Sequence, residues 1–375
     1  MKNPFKPTAG ARPPLVIGRE EIRQDIAESV ENGAGAPGLL AIFSGPRGIG
    51  KTVMLGSVED EAIEHGWIVI SETAIPGLVR RIDAAVRAAS GEFVDQPSGR
   101  RITGITLGPV GVQTQLADVE HRHWRHPLTE LLKRLRDHGT GLMITIDEIH
   151  AIDRVDLVEV AAVIQHMIRE DLPIALMLAG LPKAVDDLLN DEVSTFLRRA
   201  EKYDLHKATL SDVAAALRAT FDEGSISISE LHVRHLAEAT GGYPFLIQLV
   251  GYHVWSQAVR NGGRVTAESL EAGVEKAKRR MGATVLQSAY NSLSDIDKSY
   301  LLAMAVDDGP SKTSVIAERL GVSPVYAGQY RLRLLAAGAI EVVGHGYVDF
   351  AMPTFREFLR ASPAFDSQAH LLSDQ

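Results

Sequence analysis

The run Gly45-Pro46-Arg47-Gly48-Ile49-Gly50-Lys51-Thr52 has the spacing G-x-x-x-x-G-K-[ST] of a phosphate-binding loop. Those residue types suit one chemistry. Backbone N–H groups in a glycine-rich loop and at a helix N-terminus converge on anionic oxygens, the Lys51 ammonium adds a point charge near the β and γ phosphates, and the Thr52 hydroxyl can ligate Mg²⁺. A second set of functional groups ends the run Leu142-Met143-Ile144-Thr145-Ile146-Asp147-Glu148. Adjacent carboxylates at a strand end can divide the work of an NTPase. Asp147 would hold Mg²⁺ directly or through water, and Glu148 would polarise the water that attacks the γ-phosphate.

Such groups need elements to hold them. Leu39 to Phe43 has the length of a buried strand, and Val53, Met54, Leu55, Val58, Ala62 and Ile63 recur at helical spacing until Gly66, so the loop sits between strand and helix. Further along, strand candidates at Trp67–Ser71, Leu142–Asp147 and Pro173–Ala179 alternate with helical patterns at Pro76–Ala89, Pro127–His138 and Leu157–Ile168. That order predicts an α/β fold with a parallel sheet. Residues 101–116 alternate, turn at Gly108-Pro109 and alternate again, which reads as an inserted β-hairpin.

Composition bounds the function classes. The 375 residues are 45% hydrophobic and 23% charged, enough for two or three packed domains, and carry no apolar stretch of membrane-spanning length. Met1 to Pro14 is proline-rich and basic without the apolar middle of a signal peptide, so a cytoplasmic protein with no membrane partner is expected. With zero cysteines there are no disulfides, thiolate zinc sites or cysteine nucleophiles. A formal charge of −9 argues against a whole-surface affinity for nucleic acid and leaves room for a local basic face. His121, His123 and His126 are close together but lack a carboxylate at helical spacing, and are read as hydrated surface. The string Asp147-Glu148-Ile149-His150 has the form of a helicase box, yet nothing supplies a second motor core.

Taken together, these motifs make the chain resemble the AAA+/STAND P-loop ATPases of the archaeal-type and origin-recognition-like group over residues 12–360. Pro14-Leu15-Val16-Ile17-Gly18-Arg19-Glu20 resembles the box that opens such modules, and the resemblance implies that Ile17, Gly18 and Arg19 contact adenine while Gly45 to Val53 hold the phosphates. Ala179-Gly180-Leu181-Pro182 followed by Phe196-Leu197-Arg198-Arg199-Ala200-Glu201 resembles the fourth core strand and the arginine-bearing segment. It implies that Arg198 or Arg199 stabilises charge on the transferring phosphoryl group, in some members from a neighbouring subunit. Leu178-Ala179-Gly180 departs from the pattern, offering no polar side chain to orient water, which implies slow hydrolysis. Thr240-Gly241-Gly242-Tyr243-Pro244-Phe245 is similar to the G-x-P motif of STAND switches, implying that Pro244 packs on the base side of the nucleotide; a helix-opening proline fits the same place.

The expected organisation is a flexible N-terminal tail at 1–13, an ATPase core at 14–205, a helical lid at 206–283, a winged helix at 284–362 and a tail at 363–375. Lid helices are expected at Asp212–Asp222, Ser229–Ala239, Pro244–Arg260 and Thr266–Met281. In the winged helix, Tyr326, Gln329, Tyr330 and Arg333 are expected on one helix face able to enter a DNA groove, with Ile340–Phe350 as the wing. Residues 284–375 hold seven Lys/Arg and ten Asp/Glu, a balance of −3 that is poor for phosphate attraction. The expected function is an ATP- and Mg²⁺-dependent, slowly hydrolysing switch. An ATP-licensed DNA-binding initiator and a nucleotide-binding scaffold without hydrolysis are the alternatives, with a protein partner or a second copy of the chain as further binding expectations.

Overall fold

In the structure, a computed structural model, residues 2–8, 10, 11, 13, 16–94, 106, 107, 124–152, 154–190 and 195–365 are described. Two compact units emerge: Arg19–Ser44 with Lys51–Leu205, and Met1–Gly18 with Gly45–Gly50 and His206–Gln375.

The first unit opens with α1 (Glu20–Asn32), β1 (Leu40–Ser44), α2 (Lys51–Glu64), β2 (Ile68–Thr73), α3 (Leu78–Val94), β3 (Thr106–Leu107) and α4 (Arg125–Asp137). It continues through β4 (Leu142–Asp147), α5 (Arg154–Arg169), β5 (Ile174–Gly180), α6 (Pro182–Leu189) and β6 (Glu201–Asp204). The six strands pair in the order β3-β2-β4-β5-β1-β6, every pairing parallel. Parallel strands are covered on both faces, so they read as unbroken apolar runs, and all residues of β1 and β5 are buried. The core holds Ile42, Ile70, Ile144, Ile146, Leu176 and Leu178, each contributing about 1.5–3 kcal/mol by leaving water. Glu59 is a charged group buried against this sheet. Glu59 of α2 accepts hydroxyl bonds from Ser71 of β2 at 2.7 Å and Thr145 of β4 at 2.6 Å, fixing the phosphate-loop helix against the strand that ends in Asp147. Of the expected hairpin at 101–116 only β3 is described, and it pairs parallel with β2 through Val69–Thr106 and Ile70–Leu107; the remainder lies outside the described residues. His121 and His123 lie outside them too.

The second unit contains α7 (Leu210–Glu223), α8 (Glu230–Thr240), α9 (Pro244–Arg260) and α10 (Ala267–Met281). Their starts follow the sequence. Thr209, Ser229 and Thr266 accept N–H bonds from the first turns, Thr266 and Ser269 form a reciprocal capping box, and Pro244 opens α9 where its missing N–H costs nothing. A π turn, Gly282–Leu286, carries α10 into α11 (Gln287–Asn291). Then come α12 (Asp295–Ala305), β7 (Ser311–Lys312), α13 (Thr313–Arg319), α14 (Pro324–Ala336), β8 (Ile340–Gly344), β9 (Tyr347–Phe350) and α15 (Phe355–Arg360). The three short strands form an antiparallel sheet in the order β7-β9-β8, with a bulge between Val342 and Gly344.

Two expectations need correction here. Within residues 1–13, Phe5 is buried with its ring 5.8 Å from Phe221 and 6.1 Å from Trp255; Asn3 Nδ2 donates to the Tyr252 carbonyl at 2.9 Å, and the Lys6 N–H to Gln248 Oε1 at 3.0 Å. A single aromatic in a proline-rich tail has no periodicity to announce its burial. On α14, Tyr330 is only 3% exposed, in the core with Ala327 and Leu334. The i, i+3, i+7 spacing of those three places Tyr330 on their face, so it cannot share an open surface with Gln329. Arg333 is also committed: its Nη2 is 2.6 Å from the buried Asp297 carboxylate, and its guanidinium lies 4.7 Å from the Tyr330 ring centre. The exposed side of α14 presents Val325, Tyr326, Gln329 and Leu332 beside Arg333. Among the described residues, no helix is long and apolar enough to cross a membrane.

Candidate functional site

At the carboxyl edge of the six-stranded sheet, α2 begins with Lys51 and Thr52, and β4 ends at Asp147. Between sequence positions 95 residues apart, the Thr52 hydroxyl donates to Asp147 Oδ2 at 2.5 Å. Asp147 Oδ1 accepts the Glu148 N–H at 2.7 Å. Burial raises the Asp147 carboxyl above its ordinary value; the bonds from Thr52 and Glu148 and the charge of Lys51 pull the other way, while the Glu148 charge adds to the rise. Lys51 is buried. Two hard oxygens converging beside a cation is a donor set that fits Mg²⁺, which takes carboxylate and hydroxyl oxygen together with phosphate oxygens.

Glu148 adopts the left-handed region, φ 58°, which is uncommon for a residue with a side chain. The chain turns sharply there. Ile149 is consequently buried, and a Cβ at Gly180 would lie 2.4 Å from Ile149 Cγ1. That contact gives a physical reason for the missing polar side chain at the end of β5. In the next residue, His150 Nε2 lies 2.9 Å from Glu148 Oε2.

The loop 45–50 is held within the second unit. Tyr243, fully buried, donates its hydroxyl to the Arg47 carbonyl, and the Phe245 N–H at the start of α9 donates to the Gly48 carbonyl at 3.3 Å. Burial pushes the Tyr243 phenol well up, so it remains a donor. Gly48, at φ 77°, is in a backbone conformation that strains any side chain, and a Cβ there would lie a tight 3.0 Å from Tyr243 Cε1. From the C-terminal part of the same unit, Gly338 comes so close that a Cβ on it would sit 3.0 Å from Pro46 Cα.

Residues 15–177 match the family model described as AAA ATPase domain. Over this segment the chain is similar to AAA ATPase domains. Residues 283–359 match a second model, Domain of unknown function (DUF8462). No curated protein matches the chain. Among solved structures, the chain is similar to the walker-type ATPase paby2304 of Pyrococcus abyssi, with TM-score 0.66, 16% identity, and 92% of this chain and 96% of that one covered. It is also similar to the Aeropyrum pernix ORC2 protein in its ADPNP-ADP complexes, with TM-score 0.64, 13% identity and 98% of each chain covered. Cdc6p from Pyrobaculum aerophilum gives TM-score 0.50 at 15% identity over 98% of this chain and 97% of that one. At these identities the likeness is one of fold: a P-loop ATPase sheet with helices.

The remaining expected site residues are dispersed along the chain. Arg198 and Arg199 end a 3₁₀ turn just before β6, whose Glu201 pairs with Ala41 and whose Asp204 pairs with Ser44. They therefore sit at the amino edge of the sheet, opposite the edge that carries Asp147, and Arg198 Nε donates to the Leu189 carbonyl at 2.8 Å. Neither is brought to Lys51. In the opening box, Arg19 precedes α1 with its N–H on Glu20 Oε2 at 2.9 Å, Ile17 is half-buried, Gly18 is exposed, and Pro14 and Leu15 lie outside the described residues. Val53 is half-buried one residue beyond Thr52. Pro244 faces the loop: a Cβ on Gly50 would lie 3.7 Å from Pro244 Cβ. Residue types and spacing did not single out Tyr243 or His150. For His150 the signal was its place two residues after Glu148; for Tyr243 nothing local distinguished it from an ordinary helix-flanking aromatic.

Proposed function

We propose that the chain is an ATP-binding, Mg²⁺-dependent ATPase that turns over slowly and acts as a nucleotide-controlled switch. The observation that carries this reading is the pairing of the Thr52 hydroxyl with Asp147 Oδ2 at 2.5 Å beside Lys51, at the strand ends where an AAA ATPase domain handles nucleotide. Thr52 and Asp147 would hold Mg²⁺, which when bound screens the phosphate charge. Lys51 and the N–H groups of the loop bind phosphate oxygens. Glu148 takes a proton from water; the water oxygen bonds to the γ phosphorus, the bridging β–γ P–O bond breaks, and ADP leaves with the electron pair. The absence of a polar side chain at Gly180 supports a slow step.

Switching is supported by the clamp on the loop. Tyr243, the α9 N-terminus and Gly338 all approach Pro46 to Gly50, so a change in loop conformation acts on the helical and C-terminal parts of that unit. The helix–strand–helix–helix–strand–strand order over 295–350 supports a winged helix. Because Arg333 is bound to Asp297 and Tyr330 is internal, the surface of α14 suits a protein partner or second copy better than a DNA groove.

Calorimetry and phosphate release test the reading. Lys51→Ala is expected to abolish Mg·ATP binding, while Glu148→Gln retains it and loses about 100-fold or more in turnover. Normal turnover in the Gln variant would remove the catalytic assignment.

A further inference from the structure

Helix α2 is hydrogen-bonded to the sheet at two points on one of its faces. Thr52 and Glu59 are seven residues apart, close to two full turns, so both side chains leave α2 on the same side. On β4, Thr145 and Asp147 are two residues apart and share a face of the sheet. The first point is the Thr52 hydroxyl on Asp147 Oδ2 at 2.5 Å. At the second, Glu59 Oε1 accepts the Thr145 hydroxyl at 2.6 Å and the Ser71 hydroxyl at 2.7 Å, and those two hydroxyl oxygens are 3.2 Å apart. Ser71 pairs with Thr145 across β2 and β4 as Thr73 pairs with Asp147, so the second point ties α2 to both strands just short of their carboxyl ends. Gly56, four residues after Thr52 and three before Glu59, is buried and brings no side chain. Thr145 is fully buried and Glu59 nearly so. A buried carboxylate is a poor source of stability, because desolvation offsets most of what its hydrogen bonds return. What it supplies is registry: apolar packing has no direction, whereas hydrogen bonds fix distance and angle.

We propose that Glu59 is a positioning residue for the candidate metal site: by holding α2 to Ser71 and Thr145 it fixes the spacing of Thr52 and Asp147, and so sets a preference for Mg²⁺ over larger divalent cations. The inference rests on the reading of Thr52 and Asp147 as the oxygens that hold the metal. A helix fixed at one point can pivot about it. A second point, about 10 Å further along the helix, stops both the pivot and a slide. Mg²⁺ demands near-ideal octahedral geometry at about 2.0–2.1 Å, whereas Ca²⁺ accepts looser arrangements at about 2.3–2.6 Å. Loosening α2 therefore costs Mg²⁺ more than Ca²⁺, and it leaves the affinity of the loop and Lys51 for metal-free nucleotide unchanged.

The test uses the full chain and adenylyl imidodiphosphate, a non-hydrolysable ATP analogue, titrated calorimetrically with Mg²⁺, with Ca²⁺ and with EDTA, alongside thermal melts. In the wild type, Mg²⁺ is expected to tighten binding over EDTA, and by more than Ca²⁺ does. Glu59→Leu strands two hydroxyls and is expected to melt lower. The triple variant Glu59→Leu/Ser71→Ala/Thr145→Val replaces those hydroxyls as well and is expected to recover the midpoint, since removing both partners of a buried bond costs little. Its Mg²⁺ gain is nevertheless expected to fall about tenfold or more, with the Ca²⁺ gain and the EDTA affinity within about threefold of wild type. Glu59→Gln, which keeps an acceptor oxygen, is expected to retain most of the Mg²⁺ gain. Thr145→Val removes one bond with little change of shape and is expected to fall between the two. A wild-type Mg²⁺ gain in the triple variant, equal losses under all three conditions, or a loss in Glu59→Gln as large as in the triple variant would each overturn the proposal while leaving the metal ligands in place. A wild-type affinity indifferent to Mg²⁺, or an Asp147→Asn variant that keeps the whole gain, would remove the ligand reading and this inference with it.

Discussion

Asp147 carries the least comfortable charge of the candidate site. Because burial raises its carboxyl above the ordinary value, the native fold holds this proton more tightly than the unfolded chain does. The stability linked to it is full below the unfolded pKa and is lost as pH rises through the folded one. At neutral pH the nucleotide-free chain therefore bears a cost that Asp147→Asn relieves. In thermal melts without nucleotide, the Asn variant is expected to melt above the wild type at pH 7, with the gap closing toward acid pH. Mg·ATP is expected to raise the wild-type midpoint and leave the variant's unchanged. A variant that melts lower across the whole range would contradict this account. A residue-scale charge also decides Arg333. Removing it leaves Asp297, 6% exposed, without the half-exposed guanidinium beside it, which costs about 1–3 kcal/mol for a buried acceptor that loses a charged partner. Denaturant unfolding of Arg333→Ala is expected to show that loss, and Asp297→Asn in the same chain to recover part of it.

At the scale of elements, the phosphate loop is clamped by its own unit. The carbonyls of Arg47 and Gly48 are hydrogen-bonded by Tyr243 and the start of α9, all within the second unit. Tyr243→Phe removes one buried donor without changing shape, so the second unit is expected to lose about 0.5–1.5 kcal/mol. A loop that is less firmly held is expected to bind Mg·ATP about two- to tenfold more weakly, read by calorimetry. An unchanged affinity would mean that the clamp follows the loop without shaping it. The same element scale explains which sequence expectations held. Strand and helix positions in the sheet followed from apolar runs and caps, because period and capping are properties of neighbouring residues. Docking of Phe5 on α9 and burial of Tyr330 did not follow, since each depends on what the rest of the unit leaves open.

For the whole molecule, the amino-edge position of Arg198 and Arg199 has a consequence. Glu201 pairs with Ala41 three residues short of the strand end, so these arginines lie some 10 Å or more along the strands from the edge that carries Asp147. If either one acts on a phosphoryl group, it does so on that of a second copy. Turnover per chain is then expected to rise with protein concentration in the wild type and to stay at least about tenfold lower and flat in Arg199→Ala, with Mg·ATP affinity equal in both. Light scattering with ATP, with ADP and without nucleotide checks the same point, since the assembly should track the nucleotide. Concentration-independent turnover would confine the chemistry to a single chain.

Local order along the chain was enough to establish a phosphate loop between strand and helix, a strand ending in Asp147-Glu148, and the alternation that makes a parallel sheet. These are relations between residues a few positions apart, and backbone periodicity enforces them. Which distant groups meet was decided by the fold. Strand order β4-β5-β1 brings Asp147 to Thr52, the left-handed turn at Glu148 brings His150 back, and the packing of the second unit commits Arg333 to Asp297 and Tyr243 to Arg47. No local pattern encodes such pairings, because each depends on excluded volume and on charges that only a folded chain brings within reach.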